Sequence, residues 1–264
     1  MEQRAEESLT AGKRVRRRQQ WVALGAISRA AVASVVLSED ASFYQHDGVD
    51  TVELEKALGE ALRRHELGRG ASTLTQQLAK NLWLSTDRSV LRKLKELVLA
   101  KRLEHTLTKA RILTLYLNVV EWGEGVYGIE AAALEHFGVH ASALDAAQGA
   151  MLAAMLPAPR KRLPRRKSLA LQRHALRIVS RLESVRRLSP EAAQSARVEL
   201  ERFFGRNVAP APESEVDDAQ ESEPVVPPGA PSVVEAPAAQ MREVAGSPEA
   251  EAAGEGDAVP AGVP

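Results

Sequence analysis

The chain contains no cysteine, which excludes a disulfide framework and Cys-ligated zinc and leaves the redox compartment open. Aromatic residues are scarce, at 4%. Between Val208 and Pro264 there are none, although 10 of the 14 prolines fall there and acidic residues outnumber basic ones 12 to 1. That stretch follows neither the period of two of a strand nor the 3.6 of a helix, so a disordered, extended, acidic tail is expected. Long apolar runs are also missing. The nearest approach, Trp21 to Leu37, is 17 residues long, carries Arg29 near its middle and is followed at once by Glu39 and Asp40. A bilayer span needs about 20 apolar residues, and a central Arg costs roughly 2.5–3.5 kcal/mol there, so the run reads as a buried helix of a folded domain.

The charge that is present is concealed by cancellation. The formal net charge of zero balances 35 basic against 35 acidic residues, and removing the tail's 1 and 12 leaves 34 against 23, or +11. The chain then divides into a basic N-terminal arm (residues 1–20) containing KRVRRR at Lys13 to Arg18, one globular domain (residues 21–207), and the tail (residues 208–264). A basic domain suits an anionic partner such as nucleic acid, phospholipid headgroups or a pyrophosphate-bearing molecule.

The domain is expected to be mainly α, because apolar residues recur at three and four and alternating β-branched runs are absent. Asp50 is expected to cap a helix to about Leu67, closed by Gly68 and Gly70. Ser72 or Thr73 begins a second helix to Leu84, and Asp87 or Ser89 a third to about Leu107, with Leu91, Leu94 and Val98 as its buried stripe. Further helices are expected over 109–118, 131–137, 141–156 and 168–187, with Pro157, Pro159 and Pro164 breaking the chain after Leu156. There is no internal repeat.

Three segments carry chemistry. In SEDASFYQHDGVD (Ser38 to Asp50) an acidic pair ends an apolar helix, and His46 and Gly48 follow in a turn. Such a pair is most often solvated, but an acid leaving an apolar segment is open to desolvation, which a general base acting on a hydroxyl needs. Glu39 is the first candidate. In RGASTLTQQLAKNLWL (Arg69 to Leu84), Gln76 and Lys80 lie one turn apart beside Gln77 and Asn81, with Ser72, Thr73 and Thr75 at the helix start, where free backbone N–H groups favour an anion. A capped helix with a hydrated amide face is the bland alternative. Uncharged amides beside a single Lys suit sugar and phosphate better than nucleic acid. In DRSVLRKLKELVLAKRLE (Asp87 to Glu104), Arg92 and Lys93 lie four and three residues before Glu96, which reads as an ordinary exposed ion pair; alternatively Glu39 and Glu96, flanked by Lys80, Arg88 and Lys93, make a base plus a cationic cradle for a departing pyrophosphate.

Taken in order, SEDASFYQHDGVD, GASTLTQQLAKNLWL, RKLKE and KARILTLYLNVVEWGEGVYGIEAAALEHFG resemble the successive motifs of glycosyltransferase family 51, and among its members the monofunctional biosynthetic peptidoglycan transglycosylases. The resemblance covers about residues 21–164. It implies a lysozyme-like helical fold with a smaller membrane-facing lobe between Asp50 and Gly70, and polymerisation of lipid II into β-1,4-linked glycan with release of undecaprenyl pyrophosphate. It makes Glu39 the base on the acceptor 4-hydroxyl, supported by Asp40, and Glu96 the second essential acid. Lys80 and Arg88 match positions that contact the donor pyrophosphate, with Lys93 beside them, while Ser72, Gln76 and Gln77 match the polar wall of the cleft. The sequence requires no cofactor, although Mg or Mn at the pyrophosphate is compatible with the family.

The implied partners are lipid II, the growing glycan strand, an anionic membrane surface and other cell-wall synthesis proteins, with no nucleic acid. The implied location is the periplasmic face of the inner membrane. Relatives carry an N-terminal transmembrane helix, so either the recorded start is late or attachment is peripheral through Lys13 to Arg18. His136 stands where Tyr is common and Gln148 where Glu is frequent. A lysozyme-like hydrolase is the rival enzyme, disfavoured by the paired Gln and the Lys/Arg set. A silent scaffold is disfavoured by the presence of both Glu39 and Glu96. A Ser-x-x-Lys transpeptidase motif is absent from the chain.

Overall fold

The computed structural model describes residues 17–55, 72–84 and 89–205. The tail from Val208, the basic residues Lys13 to Arg16, most of the expected helix after Asp50, and Arg88 lie outside the described residues. Eight helices and three short strands are described in full. They are β1 (Arg18–Gln19), α1 (Arg29–Glu39), α2 (Leu74–Trp83), α3 (Val90–Thr106), α4 (Lys109–Val119), β2 (Glu121–Gly123), β3 (Val126–Tyr127), α5 (Ile129–Phe137), α6 (Ala146–Met155), α7 (Leu169–Ser184) and α8 (Pro190–Phe204).

Most helices begin where a short polar side chain can take up an orphan backbone N–H. Thr73, Ser89, Thr108, Asp145, Ser168 and Ser189 each accept from the third residue of the helix they open. Thr73 with Gln76, and Asp145 with Gln148, close reciprocal capping boxes. The Asp145 box explains a difference from the expected continuous helix over 141–156: a 3-10 turn at Ala141–Ala143 comes first, and the helix starts afresh at Ala146.

α1 is the buried helix read in the apolar run, and it packs against α6 and α7. It starts only at Arg29, however, so the charge sits exposed at its first residue rather than inside the core. The preceding segment is kept out of the helix by Asn118, whose Oδ1 accepts from Val22 N at 2.9 Å and whose Nδ2 donates to Val22 O at 3.0 Å. Gly149 of α6 permits the close crossing with α1, since a Cβ there would lie 2.7 Å from Ala31 Cα. The core continues through Tyr116, Leu117, Trp122, Leu152 and Met155.

Three elements depart from the sequence expectation. The Gly-rich segment after α4 forms an antiparallel β2–β3 pair, and β1 joins β3 in parallel register with Arg18 opposite Val126 and Gln19 opposite Tyr127. Part of the expected N-terminal arm is therefore paired with the domain. α8 was not expected, and it buries Ala193, Ala196, Leu200 and Phe204. Finally, the expected buried stripe of α3 is reversed. Leu91, Leu94 and Val98 are 66%, 57% and 47% exposed, while Glu96, Ala100 and Leu103 face inward. The inward face closes around Glu96 because two cations on the same helix compensate its burial.

Candidate active site

The end of α1 meets the start of α2 through one carboxylate. Asp40, the C-cap of α1, is buried, and its Oδ2 accepts from Leu74 N at 2.9 Å. It therefore sits at the positive end of α2, where a negative charge is favoured. His46 Nε2 lies 2.9 and 3.1 Å from the two Asp40 oxygens, while Gly48 N donates to His46 Nδ1 at 3.1 Å. With Nδ1 accepting, Nε2 carries the hydrogen and donates to Asp40. Thr73 Oγ1 donates to Gly48 O at 2.8 Å, so the loop after α1 and the α2 cap fix each other.

Glu39, half-buried on the last turn of α1, points at the same helix start. Gln77 Nε2 donates to Glu39 Oε2 at 2.9 Å, and Tyr116 of α4 donates its hydroxyl hydrogen to Gln77 Oε1 at 3.0 Å. Burial, and then the charges of Glu39 and Asp40, hold the Tyr116 pKa well above that of an ordinary phenol. The hydroxyl thus remains a donor.

From α3 a second carboxylate reaches the same turn of α2. Glu96 is buried and accepts from Arg92 Nη1 at 2.8 Å and from Lys93 Nζ at 2.5 Å. Lys93 Nζ also donates to Ser72 Oγ at 2.8 Å and to Gln76 Oε1 at 3.4 Å. Gln76 is buried, whereas Lys93 is partly exposed and Lys80 is exposed. A single turn, Ser72 to Gln77, is thus bonded to Glu39 on α1 and to the Lys93–Glu96 pair on α3.

A partly buried pair, Glu104 and Lys109, supports this arrangement. Glu104 Oε1 accepts from Thr75 Oγ1 at 2.6 Å and from Lys109 Nζ at 2.7 Å, and Lys109 also donates to His46 O at 2.5 Å and lies over the Phe43 ring.

Residues 6–183 match the protein family described as Transglycosylase. The chain belongs to that family. It is 54% identical over 145 residues to the biosynthetic peptidoglycan transglycosylase of Bordetella pertussis, covering 53% of this chain and 60% of that protein. It is 46% identical over 166 residues to the protein of the same name from Nitrosomonas eutropha, covering 63% and 68%. The corresponding protein of Thiobacillus denitrificans is 44% identical over 168 residues, covering 64% and 72%. The match to the Bordetella protein spans about three-fifths of that relative.

Within this transglycosylase domain, Glu39, Asp40, Ser72, Gln76, Gln77, Lys93 and Glu96 are joined by the hydrogen bonds above. Lys80 lies one turn beyond Gln76 on α2, and Arg88 lies outside the described residues. Sequence reasoning did not single out Tyr116, Glu104, Lys109 or Arg92 as parts of the site. For Tyr116 no local signal existed, since it stands on a buried helical stripe and reaches the site only through the fold. Of the two departures from the family pattern, His136 bonds to Trp122 O and has its pKa drawn down by burial, while Gln148 completes the Asp145 box. Among the described residues, the side chains around Glu96 do not fit a metal held by protein groups alone. Both Glu96 oxygens are engaged by cations, and among the described residues no three His, Cys, Asp or Glu side chains are grouped to hold an ion. No helix among the described residues is long and apolar enough to cross a membrane.

Proposed function

We propose that this chain is a peptidoglycan glycosyltransferase that polymerises lipid II into β-1,4-linked glycan strands. Glu39 takes the proton from the 4-hydroxyl of the acceptor N-acetylglucosamine, and that oxygen attacks the donor's anomeric carbon. The bond from this carbon to the pyrophosphate oxygen breaks, undecaprenyl pyrophosphate leaves with the bonding electrons, and the anomeric centre inverts. The observation that most supports this reading is the turn Ser72 to Gln77, bonded to Glu39 from one helix and to Lys93 and Glu96 from another. It supplies a base next to an uncharged amide together with fixed cations suited to a leaving pyrophosphate. Lys80, Arg88 and Lys93 neutralise the pyrophosphate, Ser72, Gln76 and Gln77 line the cleft, and Asp40 holds α2 in place beneath it.

The substrate's polyprenyl chain requires work at a bilayer surface, on the periplasmic face of the inner membrane. The exposed face of α3, with Val90, Leu91, Leu94 and Val98 next to exposed Lys95, Lys101 and Arg102, suits that surface. Each apolar side chain buried contributes roughly 1.5–3 kcal/mol, and each cation near an anionic leaflet about 1 kcal/mol. Vesicle flotation should show attachment to anionic vesicles that weakens at high salt.

Incubation with fluorescent lipid II, resolved by gel electrophoresis, tests the activity. Ladders of polymer are expected. Cleavage of preformed glycan without polymer would favour the hydrolase, and binding of lipid II without either product would favour the scaffold.

A further inference from the structure

We propose that Tyr116 is a positioning residue for Glu39, acting through Gln77: its hydroxyl fixes the Gln77 carboxamide so that the NH2 group, and not the carbonyl, faces the carboxylate. The inference rests on the reading of Glu39 as the base.

A carboxamide has two orientations related by a half-turn, and a glutamine between two polar groups must choose one. With Oε1 turned toward Glu39, two oxygen acceptors would face each other, and the carboxylate would be stable only when protonated. With Nε2 toward it, the ionised carboxylate receives a hydrogen bond. The phenol decides between them. Tyr116 is fully buried, and its hydroxyl donates to Gln77 Oε1 at 3.0 Å. If the amide turned over, its NH2 would occupy the phenol oxygen and the phenol hydrogen would lose its acceptor inside the core, an outcome that buried donors avoid. Since burial and the neighbouring carboxylates keep the phenol protonated, the orientation holds across the working pH range. Gln77 Nε2 also approaches Ser72 O at 3.5 Å, which favours the same orientation.

Among the described residues, the charged and titratable groups on the surrounding elements include Asp40 and His46 after α1, Lys80 on α2, Arg92, Lys93, Glu96 and Glu104 on α3, and Lys109 and Tyr116 itself on α4. Replacing the hydroxyl alters none of these other charges, so a change in pH dependence reports on the amide.

The test is the polymerisation rate of the full chain with fluorescent lipid II, measured against pH for wild type, Tyr116→Phe, Gln77→Ala and the double variant. Phe keeps the ring in the core, and thermal unfolding checks that the fold survives. For Tyr116→Phe, kcat should fall about tenfold with little change in KM, and the acidic limb of the kcat profile should move upward by about one pH unit, the equivalent of a tenfold loss of preference for the ionised base. In the Gln77→Ala background, Tyr116→Phe should have no further effect, because the residue acts through the amide. An unmoved acidic limb, or an equal loss in both backgrounds, would overturn the proposal. Normal polymerisation by Glu39→Gln would instead overturn the underlying assignment of the base, whatever Tyr116→Phe does.

Discussion

Replacing Asp40 by Ala tests whether the site is held together from beneath or built from direct substrate contacts. The carboxylate is buried, accepts the Leu74 N–H at the start of α2, and is the partner of His46 Nε2. Each hydrogen bond to an ionised acceptor contributes about 1.5–3 kcal/mol, which sets an upper bound of about 6 kcal/mol for the two. The truncation leaves the Leu74 amide and the imidazole N–H without this acceptor, and a buried donor stranded in this way costs about 1–3 kcal/mol, or about 2–6 kcal/mol for the two. In a domain of this size, 1 kcal/mol corresponds to about 2–4 °C, so thermal unfolding should fall by about 4–24 °C. Activity should be lost as well, because the turn carrying Ser72, Gln76 and Gln77 loses its anchor. Asp40→Asn, which keeps an acceptor for Leu74, should lose less stability than Asp40→Ala. An unchanged Tm for Asp40→Ala combined with a raised KM for lipid II would refute the reasoning and make Asp40 a substrate ligand.

Glu39→Gln keeps the shape and loses the basicity, so polymerisation should vanish while the Tm stays within about 1 °C of wild type, consistent with a surface-reaching substitution of small energetic effect; a well-folded variant with normal turnover would remove Glu39 from the mechanism. Lys80→Ala and Arg88→Ala should each lower kcat/KM at limiting lipid II by about tenfold to a hundredfold, as for the loss of one charge-assisted hydrogen bond of about 1.5–3 kcal/mol. A wild-type value for either would withdraw that residue from the pyrophosphate site. Gly149→Ala should lower stability by about 1–3 kcal/mol, because the added methyl would meet Ala31 Cα at 2.7 Å and force α6 away from α1. A wild-type melting curve would show that the crossing is looser than it looks.

Local rules carried much of the fold because the helix starts are encoded locally. Thr73, Ser89 and Ser168 were legible as caps, since a cap needs only its own side chain and the amide three residues on. α8 carries the same local signals, Ser189 followed by Pro190 at the first helical position and an apolar stripe through Leu200, so its start is encoded in the same way. The late start of α1 was not legible. Asn118, almost a hundred residues away, holds Val22 by both its N–H and its C=O, and no local preference announces that. The reversed face of α3 has a similar cause. By pattern alone Leu91, Leu94 and Val98 are the buried stripe, and only the Arg92–Lys93–Glu96 cluster, compensated internally, makes the polar face the inward one.

The two glutamates, equivalent as sequence candidates, are separated by their surroundings. A base must bring a carboxylate oxygen to the substrate hydroxyl, so geometry comes before proton affinity. Glu96 cannot easily do this: its side chain is 3% exposed, and its two oxygens are engaged by Arg92 and Lys93. Its oxygens hold the two cations in place, and Lys93 in turn binds Ser72 and Gln76, so Glu96 acts on the turn of α2 through Lys93. Glu39 stands at the end of its helix, half-buried, with an uncharged amide as the donor to Oε2. That hydrogen bond fixes the direction in which the carboxylate points. The same turn of α2 therefore contacts both acids: Gln77 donates to Glu39, the proton acceptor of the proposed mechanism, while Ser72 and Gln76 accept from Lys93, the partner of Glu96. Moving that turn would disturb both functions together, which is why its anchors, Asp40, Thr73 and the Glu104–Lys109 pair, belong to the site even where they touch no substrate.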